Sequence, residues 1–250
     1  MLGRVGDDAF AGTLLHNLKT NGVDTSNVRS SKNLASGLAV VAVENSGENA
    51  ILVVPNANGA VTVDDVAASS KLFTEDAVVL LQLETPMDTV LAAIRLAKSK
   101  GARVIVDPAP APAKWPEELF NVDLMCPNES EAASFLKNDV NTIAEAERAA
   151  REIHDRGAKN VVITMGEQGS LLFDGDSVDL IPAYSVTAVD STAAGDAFAG
   201  ALAVHWAQHN NLLEAVRFGN AAGALSASRM GAQPSMASRT EIEALCFLPH

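Results

Sequence analysis

Cysteine is scarce: the chain has two in 250 residues, Cys126 and Cys246, with no Cys-x-x-Cys spacing. This indicates neither a disulfide framework nor a zinc cluster. Basic residues are also few, 18 Lys and Arg against 31 Asp and Glu, giving a net charge of −13 and a pI near 4.7. Such a balance argues against an electrostatic hold on nucleic acid or anionic lipid. No apolar run approaches the roughly 18 residues that a membrane span needs; the longest, such as Leu38–Val43 and 77–81, are strand-sized. The opening MLGRVGDDAF shows no basic segment followed by an apolar one, so no secretory signal is visible and a cytoplasmic protein is expected. What the chain does have is a 48% apolar composition, enough for a self-sufficient core.

From about Asp76 onward, short β-branched runs alternate with stretches of helical period, the pattern of βαβ units around a mostly parallel sheet. Strands are expected near 77–83, 102–106, 122–126 and 160–165, with amphipathic helices over 87–100 and 142–156. Lys100-Gly101 and Arg156-Gly157 each combine a basic residue with a glycine stop. GLAVVAV and AILVV flank the polar ENSGEN, so 37–54 reads as a hairpin. SLLF and SVDL read as shorter strands, and 193–229 as helices packed on the sheet. PAPAPAKWP at 108–116 is a proline-rich loop. No linker divides the chain, so residues 1–250 are expected to form one α/β domain.

In an open parallel sheet, ligands bind beyond the carboxyl ends of the strands. Glu84, Asp107, Asn128 and the pair Gly166 and Gly169 fall just after successive expected strands. Each alone could be an ordinary turn former; together they mark one rim. The segment DSTAAGDAFAGA, 190–201, is more informative. Ala193, Ala194 and Gly195 open a long helix, and their small side chains would let backbone N–H groups approach an anion at the positive end of the helix dipole. Asp196 would then stand within reach of a hydroxyl approaching that anion, as a general base in phosphoryl transfer must. The plainer alternative is that Asp196 is only an acidic residue of a first helical turn and Gly195 a turn residue.

DSTAAGDAFAGAL closely resembles the signature of the ribokinase-like (PfkB) carbohydrate kinases. The resemblance continues, in the family's order, through Gly3 to Gly12, QLETP at 82–86, DPAPA at 107–111, PNESEA at 127–132, TMGEQGSLL at 164–172 and GAQPS at 231–235. It implies a Rossmann-like sheet with a small β lid at about 37–54. It also implies ATP-dependent phosphorylation of a sugar hydroxyl, with O5 of D-ribose as the expected acceptor. Fructokinase, ketodeoxygluconate kinase, nucleoside kinase and a nucleotide-binding protein without kinase activity are the alternatives.

Carried over by motif, Asp196 is the base and Ala193 to Asp196 supply the anion hole. Asn128 and Glu131 match the Asn-x-x-Glu pattern of the Mg2+ and phosphate environment. Thr164, Gly166, Glu167, Gln168 and Gly169 resemble the loop under the nucleotide phosphates, and Asn220 falls where the family lines its adenine pocket. Glu84 matches a sugar-contacting carboxylate. A K+ site is implied at Asp190, Thr192, Ser226, Arg229, Gly231 and Ser235, largely through carbonyls. The lid implies a homodimer.

The family ordinarily opens with a strand and a Gly-Gly-Lys-Gly-Ala-Asn-like segment that have no counterpart here. By that measure about 50 residues, one to two βαβ units, are expected to be missing, including a central strand and part of the lid. Pro55-Asn56-Ala57-Asn58 also departs from the family's Gly-Ala-Asn. His205 and His209, four apart without a third ligand in view, read as surface or packing residues, as do Cys126, Trp115 and Trp206.

Overall fold

A computed structural model describes residues 1–43 and 49–246. Its contacts fall into two units, Met1–Phe73 with Leu83–Leu96, and Thr74–Gln82 with Ala97–His250.

The first unit opens with β1 (Leu2–Val5), α1 (Ala9–Thr20) and β2 (Asn27–Ser30), the two strands pairing in parallel with Leu2 opposite Asn27. Helix α1 begins where Asp8 caps it. The Asp8 carboxylate accepts from the N–H groups of Phe10 and Ala11 and also from the Ser36 N–H at 2.6 Å and hydroxyl at 3.0 Å, so one cap fixes both the helix start and the following loop. The expected hairpin is present as β3 (Leu38–Val43) and β4 (Asn49–Val54), antiparallel with Leu38 opposite Val54. Its turn, 44–48, lies outside the described residues.

Asp65 ties this unit together. It sits in the first turn of α2 (Val63–Ala68), in a capping box with Thr62. Its buried carboxylate also takes both arms of the Arg4 guanidinium, at 2.8 and 3.0 Å, and Arg29 at 2.8 Å. Burial alone would raise its pKa, but the hydrogen bonds from Arg4 and Thr62 and the Arg4 charge hold it below the ordinary carboxylate value.

The second unit holds a six-stranded sheet and most of the helices. Apolar runs with little polar alternation form β5 (Val78–Leu81), β6 (Arg103–Val106), β7 (Leu124–Met125) and β8 (Val161–Thr164), all parallel; β6 to β8 are almost wholly buried, as expected of strands covered on both faces, while β5 at the sheet edge is only partly so. β9 (Ser170–Phe173) runs antiparallel to them, β10 (Val178–Ile181) turns back antiparallel to β9, and the order is β10-β9-β8-β7-β6-β5. α3 (Met87–Ser99) connects β5 to β6, with α4 (Glu129–Leu136) and α5 (Ile143–Asp155) between β7 and β8. Gly101 and Gly157 follow α3 and α5 in the left-handed region, at φ +76° and +127°, which glycine adopts without steric cost.

An antiparallel helix pair completes the unit: α6 (Ala194–His209) and α7 (Leu212–Ala227), followed by α8 (Arg239–Cys246). Phe198, Leu202 and Trp206 of α6 pack with Ala215 and Val216 of α7 against Ile105, Leu124, Val162 and Leu172 of the sheet. Gly219 makes the helix pairing possible, since a Cβ there would lie 2.8 Å from the Phe198 ring. Trp206 is core, with the Arg103 guanidinium 4.1 Å above its ring. Trp115 packs on Phe120 and Phe135. His205 lies between His209 and Phe218, with ring centroids 4.4 and 4.9 Å away, and among the described residues no group of three candidate ligands surrounds the pair. No described helix is long and apolar enough to cross a membrane.

Replacing Asp65 with Asn removes the acceptor for two guanidinium groups, both partly open to water, and is expected to cost about 1–3 kcal/mol in urea denaturation at pH 7. A depressed carboxylate stabilises above its unfolded pKa and loses that contribution as pH falls. The difference between parent and Asp65→Asn should therefore shrink below about pH 4.

Candidate active site

The start of α6 is built around a backbone that is costly to hold. Ala193 takes the N-cap position at φ +62°, ψ +12°, a left-handed conformation unfavourable for a residue with a Cβ, and no side chain caps the helix. Asp190 holds the approach in place: one of its oxygens accepts from Thr192 N–H at 3.0 Å and the other from Gly231 N–H at 2.9 Å. Ala194 N–H turns back to Ser191 O at 3.1 Å. The first-turn N–H groups of Gly195 and Asp196 have no intrahelical acceptor, and a Cβ at Gly195 would meet nothing within 4 Å. The donors available to an anion are thus centred on Gly195 and Asp196, one residue later than the small-residue run alone suggests.

Asp196 itself reaches solvent, and partial burial raises its pKa above the ordinary carboxylate value. It lines one end of a largely apolar cleft of about 280 Å3, with Gly200, Val204, Phe218, Met236 and Arg239 among the other walls.

Two further carboxylates share its field. Asp107 follows β6, its N–H donating to Leu81 O at 2.8 Å. Burial first, then the charges of Glu131 and Asp196, push its pKa up to about 7. Glu131 is buried and raised for the same first reason. Its carboxylate turns back onto Asn128, accepting from the backbone N–H at 2.8 Å and the side-chain amide at 2.9 Å, while Asn128 Oδ1 accepts from Glu131 N–H. Asn128 is therefore the N-cap of α4, and the two side chains are locked by a capping box. Sequence reasoning had placed Asp107 on the rim but given it no role. The DPAPA that follows RVIV was the available signal.

The turn between β8 and β9 is the third part. Thr164 ends β8 and bridges to Asn128, which joins this turn to the α4 cap. Gly166, Glu167 and Gln168 form an exposed 3₁₀ turn. Gly166, at φ +51°, has open space where a Cβ would stand. Gly169 is different: a Cβ there would collide with Ile181 O and Ala183 N, so glycine is needed for the approach of β10. Asn220 serves the same junction. Its Oδ1 accepts from Ser170 Oγ at 2.6 Å, and its amide donates to Ile181 O and Pro182 O. The buried Asn220 amide is thus spent on holding the β9–β10 edge to α7.

Near the Asp190 anchor, the Ser226 and Ser235 hydroxyls lie 2.8 Å apart and fully buried. Arg229 directs its guanidinium outward to Glu241 at 2.6 Å. The groups around this loop are hydroxyls, carbonyls and one carboxylate, a donor set that fits a hard cation. Glu84 belongs to the first unit, exposed in the bend after β5.

The pfkB family carbohydrate kinase profile matches residues 1–239. The chain belongs to the pfkB family of carbohydrate kinases. It is 34% identical to the ribokinase of Haemophilus influenzae, over 98% of this chain and 80% of that protein. It is 33% identical to the deoxyribokinase of Salmonella typhi, over 95% of this chain and 78% of that protein. The solved structure of Arabidopsis thaliana ribokinase, complexed with ribose and ATP, superposes with a TM-score of 0.88 at 30% identity, covering 99% of this chain and 81% of that one. The ribokinase-like α/β fold expected from the motifs is therefore the fold of this pfkB kinase.

The electrostatic cost of this site is measurable. With its pKa higher folded than unfolded, Asp107 binds an extra proton in the native state between about pH 4 and pH 7, so stability declines as pH rises through that window. Asp107→Asn should remove the decline and be more stable than the parent at pH 8 by about 2–4 kcal/mol, as read from urea denaturation across pH.

Proposed function

We propose that this kinase transfers the γ-phosphoryl group of ATP to O5 of D-ribose, with residues 1–250 acting as one kinase domain. The observation that carries the reading is the conjunction at the start of α6: a carboxylate of raised pKa beside backbone N–H groups that have no acceptor within the helix. In the proposed reaction, Asp196 takes the proton of the sugar hydroxyl as its oxygen attacks the γ-phosphorus, and the bond to the leaving ADP oxygen breaks. Of the Ala193 to Asp196 anion hole, the N–H groups of Gly195 and Asp196 offset the charge on the transferred group, the Ala194 N–H being turned to Ser191 O.

The same reading assigns the remaining groups. Thr164, Gly166, Glu167, Gln168 and Gly169 lie under the nucleotide phosphates, where open space at Gly166 admits them. Asn220, tied to β9 and β10, sets the wall of the base pocket. Glu84 accepts from sugar hydroxyls. Mg2+ would be held in the environment of Glu131 and Asn128, where buried oxygen donors fit a hard cation, and it would neutralise phosphate charge when bound. K+ would be held by Asp190, Thr192, Ser226, Arg229, Gly231 and Ser235, mostly through carbonyls, and would stiffen the approach to α6. The exposed apolar residues of the hairpin, Leu38, Val40, Leu52 and Val54, support a homodimer through the lid, and the pair of free cysteines supports a cytoplasmic setting.

A second reading, 2-deoxyribose as acceptor, is favoured by the near-equal likeness to a deoxyribokinase. Initial rates of ADP formation with ribose, 2-deoxyribose and fructose decide between them. The ribose reading requires the highest kcat/KM for ribose, and a preference for 2-deoxyribose or fructose overturns it. Asp196→Asn should lower kcat about 10²–10⁴-fold while leaving ATP affinity within a few-fold. Because the base must be ionised, kcat/KM for the sugar should fall on the acid side, with a midpoint above the ordinary carboxylate range that Asp196→Asn abolishes.

A further inference from the structure

His205 is a titratable group that the phosphoryl-transfer reading does not use, and it sits where α6, α7 and α8 meet. It precedes His209 by one helical turn on α6, with the two ring centroids 4.4 Å apart, and it also meets the Phe218 ring of α7 at 4.9 Å. Phe218 in turn belongs to the apolar cluster with Ile242 that seats α8 on the helix pair. The Nδ1 atom of His205 is buried and has no hydrogen-bond partner among the described residues. An imidazolium carries a proton on both ring nitrogens, so protonation would leave an N–H there without an acceptor.

The charged groups that face the ring come from all three helices: His209 of α6, Glu214 of α7, and Arg239 and Glu243 of α8. The two carboxylates favour an imidazolium, but each is already paired, Glu214 with Arg217 at 2.7 Å and Glu243 with Arg239 at 2.7 Å. A cation–π contact with Phe218 offers limited compensation. Burial first, then the charge of a protonated His209, and then Arg239, weigh the other way and hold the His205 pKa below its ordinary value.

We propose that His205 is a pH-sensitive latch on α8: neutral, it packs α6 onto Phe218 and leaves α8 seated, and protonated, it sets a charge against that apolar seat and loosens α8 from the helix pair. α8 follows the loop whose Gly231 N–H holds Asp190, which gives the loosening a route to the start of α6. With the folded pKa below the unfolded one, the latch is fully closed above about pH 6.5 and opens as pH falls from there through the folded value.

Two measurements on the full chain test this. The His205 ring, followed by proton NMR, should titrate with a midpoint below about 6.5. Amide exchange, corrected for its intrinsic pH dependence, should show protection of α8 falling about threefold or more from about pH 7.5 to about pH 5.5, with no matching fall at Val161–Thr164 of β8. His205→Phe and His205→Gln, neither of which can take the proton, should each remove that fall. A midpoint at or above about 6.5 overturns the proposal. So does α8 protection that is equal at the two pH values, a fall shared equally by β8, or a fall that persists in both variants.

Discussion

Three carboxylates, Asp107, Glu131 and Asp196, share one electrostatic field at the carboxyl ends of the strands and the start of α6, in a chain whose net charge is already −13. Any further negative charge brought there meets repulsion from the protein as a whole. Several features of the site lessen that repulsion locally. Asp107 rises to about 7, so near neutrality the three side chains bear less than three full charges. Glu131 is held by two N–H donors of Asn128, and the amino end of α6 presents donors where its dipole is positive.

Those donors exist because the backbone before α6 is held in a conformation it would not choose. A left-handed Ala193 costs on the order of 1–3 kcal/mol and is maintained by neighbours rather than by its own preference. Asp190 fastens Thr192 and Gly231, and Val189 and Asp190 donate to Ala227 O at the end of α7. α7 is fixed in turn to the sheet by Asn220 and to α6 by the close contact of Gly219 with Phe198. The geometry of the turn before α6 is therefore transmitted from the core, through α7, to a backbone segment three residues from Asp196.

How much of this could be read from the sequence depends on the range over which each residue acts. The apolar runs of β5, β6 and β8 and the glycine stops at Gly101 and Gly157 are local signals, and they placed the parallel half of the sheet. DSTAAGD is local too, and it placed the start of α6. The reversal of β9 was not legible, because SLLF and SVDL are short and the directions of β9 and β10 follow from two tight turns, Gly166–Gln168 and Asp174–Ser177. The purpose of Gly169 was hidden for a related reason, since its obstacle, Ile181 O, is twelve residues away. Asn220 looked like a residue facing a ligand; its partners are Ser170, Ile181 and Pro182, at separations of 50, 39 and 38 residues, and pairing at that range leaves no trace in spacing.

Asn128 and Glu131 show why motif and structure need not compete as explanations. A residue pair three apart at a helix start forms a capping box in many unrelated proteins, and that box alone would account for both side chains. It does not account for burying Glu131 at 7% exposure close enough to Asp107 to help raise its pKa. Burial of a carboxylate is unfavourable unless hydrogen bonds compensate it, and here the compensation comes from Asn128. The capping box thus does two things with the same atoms: it starts α4, and it makes tolerable a buried carboxylate beside Asp107. Because the box also bridges, through Asn128, to Thr164 at the end of β8, the acidic cluster and the β8–β9 turn are set by a single local motif whose sequence signal is ordinary and whose surroundings are not.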